Sequence, residues 1–504
     1  MATTNAAGQA EVPPRASDRE DQSTDDLFHR GLVTPETLHA LFEPDQVIVG
    51  TTKEGEPVAH WLVKCLQTTN TRRVELECLT CYSWPSNEAH RIEGVTIQIR
   101  LPRRGEGPFE ISTLAAYPLR FDVTGTIKPA LLERAGTFQQ FRRFRKVTMV
   151  EYVVPTTKFN FQTTNPRYMI DMEAYEEQDG EDEDDGELIE GTLSNGDFKS
   201  NIKPPTNVLP LLFPPKIPGY NLRTGRWMAL SVKYIKLVTW NKTALERMVM
   251  QVGKKRIIES AVRFHLGHQP PNPAPDHGNG LAILLHGPPG TGKTLTAEAV
   301  AELNERPLFF VSGDDLRNRH GNVEQHLDAV FQLASKWKAI IHLDECDLLL
   351  GRKGRDSARI AFVKTFKNYH GVLIVTTSRI DKGKLHHGLV HLFQVVADYL
   401  PPQGRACEFL FRALIDQLDE WQTQEGSGDH DVVDLEDLRD NLRDLSDTDE
   451  GYSGWQARRI LLAAVQMALT RGESFSYYAH FIPARALEDD WQPEYMPQID
   501  WPAM

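Results

Sequence analysis

Residues 281–300, LAILLHGPPGTGKTLTAEAV, constrain the fold more than any other stretch of the chain. Five apolar residues, 281–285, read as a short buried strand. The loop from His286 to Thr294 follows, and a helical pattern continues over 294–303. The spacing G-x-x-x-x-G-K-[ST] in a strand–loop–helix context suits a phosphate cradle. Glycines let backbone N–H groups close around an anion, and the positive end of the next helix faces it. The residues placed against a nucleotide are Gly287, Pro288, Pro289, Gly290, Thr291, Gly292, Lys293, Thr294 and Leu295. Lys293 reaches for the outer phosphates, and the Thr294 hydroxyl suits a magnesium ion that travels with them. A plain glycine-rich turn would not need all four fixed positions filled.

Some fifty residues on, the apolar run 339–343 reads as a second buried parallel strand, ending in Asp344-Glu345. An acid at such a strand end suits metal holding, so Asp344 joins Thr294 as a metal candidate. Glu345 is placed to polarise an attacking water. Two surface acids capping a strand are the bland alternative, and the upstream loop weighs against it. Together the two motifs point to nucleoside triphosphate chemistry with a magnesium ion.

Composition sets the frame. The chain has 504 residues, 40% hydrophobic and 25% charged, which suits several folded domains with ample core. No run of eighteen apolar residues occurs, so no membrane span is expected. The N-terminal residues lack an apolar signal core and read as a disordered tail. Five cysteines, at 65, 78, 81, 346 and 407, suit a reducing compartment. The expected location is intracellular, cytoplasm or nucleus, and not secreted. The Cys78/Cys81 pair lacks a second pair at zinc spacing, so strand packing is expected there. The net charge of −14 is segregated: residues 171–190 carry twelve acids and no Lys or Arg, and residues 413–450 carry fourteen acids against Arg439 and Arg443. The rest is net basic, but a chain-wide polyanion binder is disfavoured.

In chain order, 46–49, 58–65, 73–82, 94–100 and 109–114 read as strands, followed by a helix over 128–146 and a strand over 148–154. Phe138, Phe141 and Phe144 interleave with basic residues. That mix stacks on bases or, at i, i+3 spacing, faces a core; the core is favoured. Residues 219–238 read as one or two strands turning at Thr224-Gly225, and 240–260 as helical. From 281 the pattern alternates strand and helix: strands at 307–312, 339–343, 371–377 and 393–399, helices at 323–337 and 358–369. Helices at 405–421 and 454–469 follow.

The expected fold class is α/β: a P-loop NTPase parallel sheet with flanking helices and a small C-terminal helical lid, preceded by a β-rich α+β N-terminal domain. The expected boundaries are 1–27 tail, 28–170 N-terminal domain, 171–205 acidic and proline-rich linker, 206–252 bridging segment, 253–402 ATPase core, and 403–504 lid with C-terminal tail.

GPPGTGKTLTAEAVAE, then RPLFF, AIIHLDECDLLL and GVLIVTTSR, resemble the AAA-type ATPases. More narrowly the chain resembles a fungal group with a long uncharacterised N-terminal domain, on Tyr117-Pro-Leu-Arg-Phe121, Pro166-Arg-Tyr-Met-Ile-Asp171 and the stretch around Trp240-Asn241. The resemblance implies a Walker A loop at 287–294, a Walker B pair at Asp344 and Glu345, and a homo-oligomer, often a ring. It implies a protein partner gripped by the N-terminal domain and gives no ground for nucleic acid as a partner.

Several positions depart from the family. Its water-positioning Asn is Ser378 here; a serine still hydrogen-bonds, with shorter reach. The stretch 388–393 lacks the usual trans-acting Arg, for which Arg352, Arg355 and Arg359 are alternatives. A lid motif Asn-Gly-Arg stands as Ser453-Gly454-Trp455, with Arg458 and Arg459 a turn further on. The loop after Ser312 lacks the pore triplet of threading unfoldases. The pair His387 and His391 has no acid to complete a metal set. The expected activity is Mg-dependent ATP hydrolysis with Glu345, Lys293 and Ser378 as catalytic residues, coupled to remodelling of a partner. The alternative is an ATP-binding switch or scaffold with weak or lost hydrolysis.

Overall fold

The computed structural model describes residues 24–52, 55–68, 73–83, 91–100, 108–143, 147–153, 166–177, 192–193, 203–268, 280–313, 323–347, 356–378, 389, 391–425, 434–443 and 451–489. The chain divides into two compact units: Met1–Asn221 with Arg226–Val238, and Leu222–Gly225 with Thr239–Met504. No helix among the described residues is long and apolar enough to cross a membrane.

The first unit is built on two large antiparallel sheets, with a short antiparallel pair of Leu32–Val33 and Phe109–Glu110 beside them. The larger orders Thr192–Leu193, Arg91–Arg100, Arg73–Ser83, Pro57–Thr68, Val47–Thr51 and Ala116–Pro118. The second orders Arg226–Ser231, Lys216–Asn221, Arg167–Ile170, Thr148–Tyr152 and Ile235–Leu237. In Arg73–Ser83, the alternation of Val74, Leu76 and Cys78 with Glu75 and Glu77 sends the apolar set inward, as period two requires. Burial pushes the Cys78 thiol up, which makes it an inert packing group.

The helix Ile127–Arg143 packs Leu131, Ala135 and Phe138 into a core with Val150, Ile217 and Leu230. The Phe138 ring lies 5.2 Å from Phe213, so the core reading holds for that residue; the side chains of Phe141 and Phe144 lie outside the described set. The expected strand over 109–114 is only Phe109–Glu110, followed by a 3-10 turn at Ile111–Thr113. The Thr113 hydroxyl donates to Glu110 O at 2.7 Å, a local bond that competes with strand pairing.

The second unit carries a five-stranded parallel sheet: β1 (Leu281–His286), β2 (Leu308–Ser312), β3 (Ile340–Asp344), β4 (Val372–Thr377) and β5 (Val395–Asp398), in the order β2-β3-β4-β1-β5. β1 and β4 are buried along their whole length, as both-face cover by helices demands. In order, the helices are α1 (Ala244–Arg247), α2 (Val252–His268), α3 (Lys293–Leu303), α4 (Val323–Trp337) and α5 (Asp356–Lys367). Leu327, Val330, Phe331, Ala334 and Trp337 form the buried stripe of α4.

The helix expected over 240–260 is broken between α1 and α2. The Lys255 ammonium donates to Glu246 O and Met248 O at 2.9 and 3.1 Å, satisfying carbonyls at the break. C-terminal to the sheet, α6 (Arg405–Glu425), α7 (Glu436–Asn441), α8 (Gly454–Arg471) and α9 (Ile482–Asp489) share a core of Phe411, Ile415, Leu438, Ile460 and Phe481. A single π-turn at Tyr477–Phe481 leads into α9, a stretch whose sequence pattern is silent.

Candidate functional site

Parallel register brings four strand ends together. Ser312 stands opposite Asp344, Leu343 opposite Val375, and His286 opposite Thr377. The loops leaving β1 and β3 and the end of β4 therefore meet at the carboxyl edge of the sheet, where α/β sheets of this kind form their crevice.

The loop after β1 is shaped by backbone geometry. Gly287, Gly290 and Gly292 have φ of 154°, 74° and 95°, values that side chains disfavour. At Gly287 close approach adds to this, because a Cβ would lie 2.1 Å from the Tyr399 carbonyl oxygen. Tyr399 braces the loop from behind: its hydroxyl bonds Thr296 Oγ1 at 2.7 Å, and its N–H donates to His286 O at 2.7 Å. α3 starts at Lys293, and its N-cap Gly292 offers no side-chain acceptor to the first-turn amides.

Lys293 is buried, and its ammonium donates to Gly287 O at 2.8 Å and Pro288 O at 2.6 Å. Burial pulls its pKa down, and the charges of Asp344, Asp347 and Glu345 oppose that. A buried ammonium, uncapped helix amides and a glycine loop fit a polyphosphate. The Thr294 hydroxyl lies 3.3 and 3.4 Å from the two Asp344 carboxylate oxygens, a hydroxyl–carboxylate pair that fits a magnesium ion. Leu295 follows on the exposed side of α3.

Three successive hydroxyls at the end of β4 hold the acids. Thr376 donates to Asp344 Oδ1 and accepts from the Glu345 N–H at 3.1 Å. Thr377 donates to Asp347 Oδ1. Ser378 gives its N–H to Asp347 Oδ1 at 3.1 Å and its hydroxyl to Asp347 Oδ2 at 2.5 Å. Glu345 has φ 51°, a left-handed conformation that costs a non-glycine residue about 1 kcal/mol. It is held there by its N–H bond, by Cys346 N–H to Thr376 O at 3.0 Å, and by Asp347 N–H to Glu345 O at 2.8 Å.

Gly313 makes room for this turn: a Cβ there would lie 2.5 Å from Glu345 O. His342 sits behind the acids, fully buried, with Nε2 3.6 Å from Asp344 Oδ1 and the Phe310 ring edge-on at 5.2 Å. Burial pushes its pKa down to about 4.

The site residues read from the loop, with Asp344, Glu345 and Ser378, thus lie together. Asp347, Thr376, Thr377, Gly313 and Tyr399 complete the site, and sequence reading singles out none of them. One signal was present, the Asp two positions after Glu345. The Thr376 and Thr377 hydroxyls read only as strand composition beside the expected Ser378.

At the C-terminal helices, Ser453 caps α8 in a reciprocal box with Gln456, at 3.3 and 3.0 Å. A Cβ on Gly290 would lie 2.9 Å from Trp455 Cβ, so the start of α8 rests against the glycine loop after β1. Arg459 stacks on Trp455 at 4.7 Å and pairs at 2.6 Å with Glu488, whose side chain is 3% exposed. Arg359 is buried on α5, out of reach of another chain, which removes it as a trans-acting arginine. Arg352, Arg355, His387 and the loop 314–322 lie outside the described residues.

Residues 283–396 match the family model described as ATPase family associated with various cellular activities (AAA). The chain is 29% identical to vacuolar protein sorting-associated protein 4A of Rattus norvegicus over 210 residues, covering 39% of this chain and 44% of that protein. It is 29% identical to meiotic spindle formation protein mei-1 of Caenorhabditis elegans over 179 residues, 33% of this chain and 36% of that one. It therefore spans less than half the length of these curated relatives. Among solved structures, the FIGL-1 AAA domain in complex with ADP aligns at 20% identity over 50% of this chain and 84% of that one, with a TM-score of 0.37.

Proposed function

We propose that the chain binds ATP and hydrolyses it with magnesium, and that this turnover remodels a protein partner held by the N-terminal unit. One observation carries the proposal: Lys293, Thr294, Asp344, Glu345 and Ser378 converge at the carboxyl edge of the parallel sheet. Lys293 and the amides of 287–295 hold the β- and γ-phosphates. Thr294 and Asp344 hold the magnesium ion, which supplies charge neutralisation at the phosphates. Glu345 takes a proton from the attacking water, and Ser378 orients that water.

In this proposal 253–402 is the engine, 403–504 the lid and 28–170 the gripping domain. The chain works as a homo-oligomer inside the cell, and kinship with the fungal group is part of the same proposal. Steady-state phosphate release by the full-length chain tests it. Glu345→Gln should keep ATP affinity and lose turnover on the order of 100-fold or more, whereas Lys293→Ala should lose ATP affinity. ATP binding without turnover in the unmodified protein would favour the switch or scaffold.

A further inference from the structure

Asp347 is a carboxylate that the hydrolytic scheme leaves without a task. It stands just past β3, fixed by the turn in which its own N–H donates to Glu345 O at 2.8 Å. It gathers three donors from the end of β4: the Thr377 hydroxyl, the Ser378 N–H at 3.1 Å and the Ser378 hydroxyl at 2.5 Å. A serine hydroxyl has a single proton and two lone pairs, and an ionised carboxylate only accepts. The proton of Ser378 is therefore committed to Asp347, and its oxygen offers the rest of the site lone pairs alone. In that state Ser378 receives a hydrogen bond from a water, an ammonium or a guanidinium. It cannot donate to a phosphate oxygen.

We infer that Asp347 is a positioning residue for hydrolysis, locking Ser378 as an acceptor that takes a hydrogen bond from one proton of the attacking water while Glu345 removes the other. This rests on the hydrolytic proposal above. The water oxygen forms the new bond to the γ-phosphorus, and the bond from that phosphorus to the β–γ bridging oxygen breaks. ADP leaves with that bond's electron pair. One water proton passes to the Glu345 carboxylate; the other stays on the new phosphate oxygen, steered by Ser378. The short reach of a serine is offset because the carboxylate and the Ser378 N–H fix its rotamer. A fixed acceptor orients a nucleophile better than a freely turning hydroxyl does.

The test uses full-length protein, ATP with magnesium, and kcat, KM and melting temperature together. Asp347→Asn keeps the size but puts an amide donor against Ser378, turning the hydroxyl proton outward. Its kcat should fall about tenfold or more, with KM within twofold and melting temperature unchanged. Ser378→Ala should show the same split, and the double variant should be no slower than the slower single one.

Retained kcat in Asp347→Asn would overturn the assignment, as would losses that multiply in the double variant. A lower melting temperature or ATP affinity in place of the kcat loss would do the same, because it reports a structural clamp. Ser378→Ala carries the test even if Asp347→Asn does not fold: wild-type turnover in it would overturn the assignment. A wild type that binds ATP and releases no phosphate would sink the hydrolytic proposal first and this assignment with it, before any variant is compared.

Discussion

The two units use buried charge in opposite ways. In the first, Glu56 is buried and satisfied, accepting from the Ser231 hydroxyl at 2.6 Å and pairing with Lys233 at 2.7 Å. Arg134 nearby gives its protons to Pro57 O at 2.5 Å and Phe213 O at 3.1 Å. This cluster closes on itself and ties together segments far apart in sequence. In the second unit, Asp344, Glu345 and Asp347 crowd one sheet edge within reach of the buried Lys293, on a backbone strained at Glu345. A self-satisfied cluster reads as architecture, whereas crowded acids on a strained turn beside a glycine loop read as chemistry.

Gly313→Ala is the strongest way to break that contrast, since its new Cβ would collide with Glu345 O. Phosphate release should fall on the order of 100-fold with ATP affinity kept. Turnover within twofold of wild type would show that the Glu345 geometry is not set by this contact. Glu56→Ala should do the reverse. It strips the Ser231 hydroxyl and Lys233 of their partner, and Lys233 is half exposed, so the loss should be about 2 kcal/mol. Hydrogen exchange should rise across 216–231 while the parallel sheet keeps its protection. Equal deprotection of both units would erase the contrast.

The smallest expected effect concerns two histidines. His60 in the first unit and His342 in the second are both buried, without a hydrogen bond to either ring nitrogen. Burial lowers the His60 pKa from the usual 6.5 to about 4, so the folded chain favours its neutral form. The stability it contributes is complete above pH 6.5 and is lost as pH falls from 6.5 through about 4. His60→Phe should flatten acid unfolding in that window by up to one proton, with a change of about 1 kcal/mol at pH 7. An unchanged slope of melting temperature against pH between 6.5 and 4 would sink the idea.

Much of the fold was legible because its signals are local. The glycine spacing at 287–292, the apolar runs of β1, β3 and β4, and the stripe of α4 each sit within one short window. Local competition explains the misses. The Thr113-to-Glu110 bond turned an expected strand into a 3-10 turn, and Lys255 stabilised a break in an expected helix. Within the candidate site, the glycine loop and the strand-end acids that the structure brings together were legible as a local pattern. Ser378 was legible from the resemblance, but Asp347 and the hydroxyls of Thr376 and Thr377 were not, because they become neighbours of the acids only when β3 and β4 pair.

The sequence alone determined the glycine loop, the acids at a strand end and the alternation that builds a parallel sheet. Those follow from backbone freedom at glycine, from side-chain periodicity and from chemistry carried by adjacent residues. Tertiary structure decided which oxygen each acid turns toward, that Ser378 spends its proton on Asp347, and that Gly313 clears space for Glu345. Those are contacts between residues about thirty positions apart, set by strand register, and no window of sequence contains both partners.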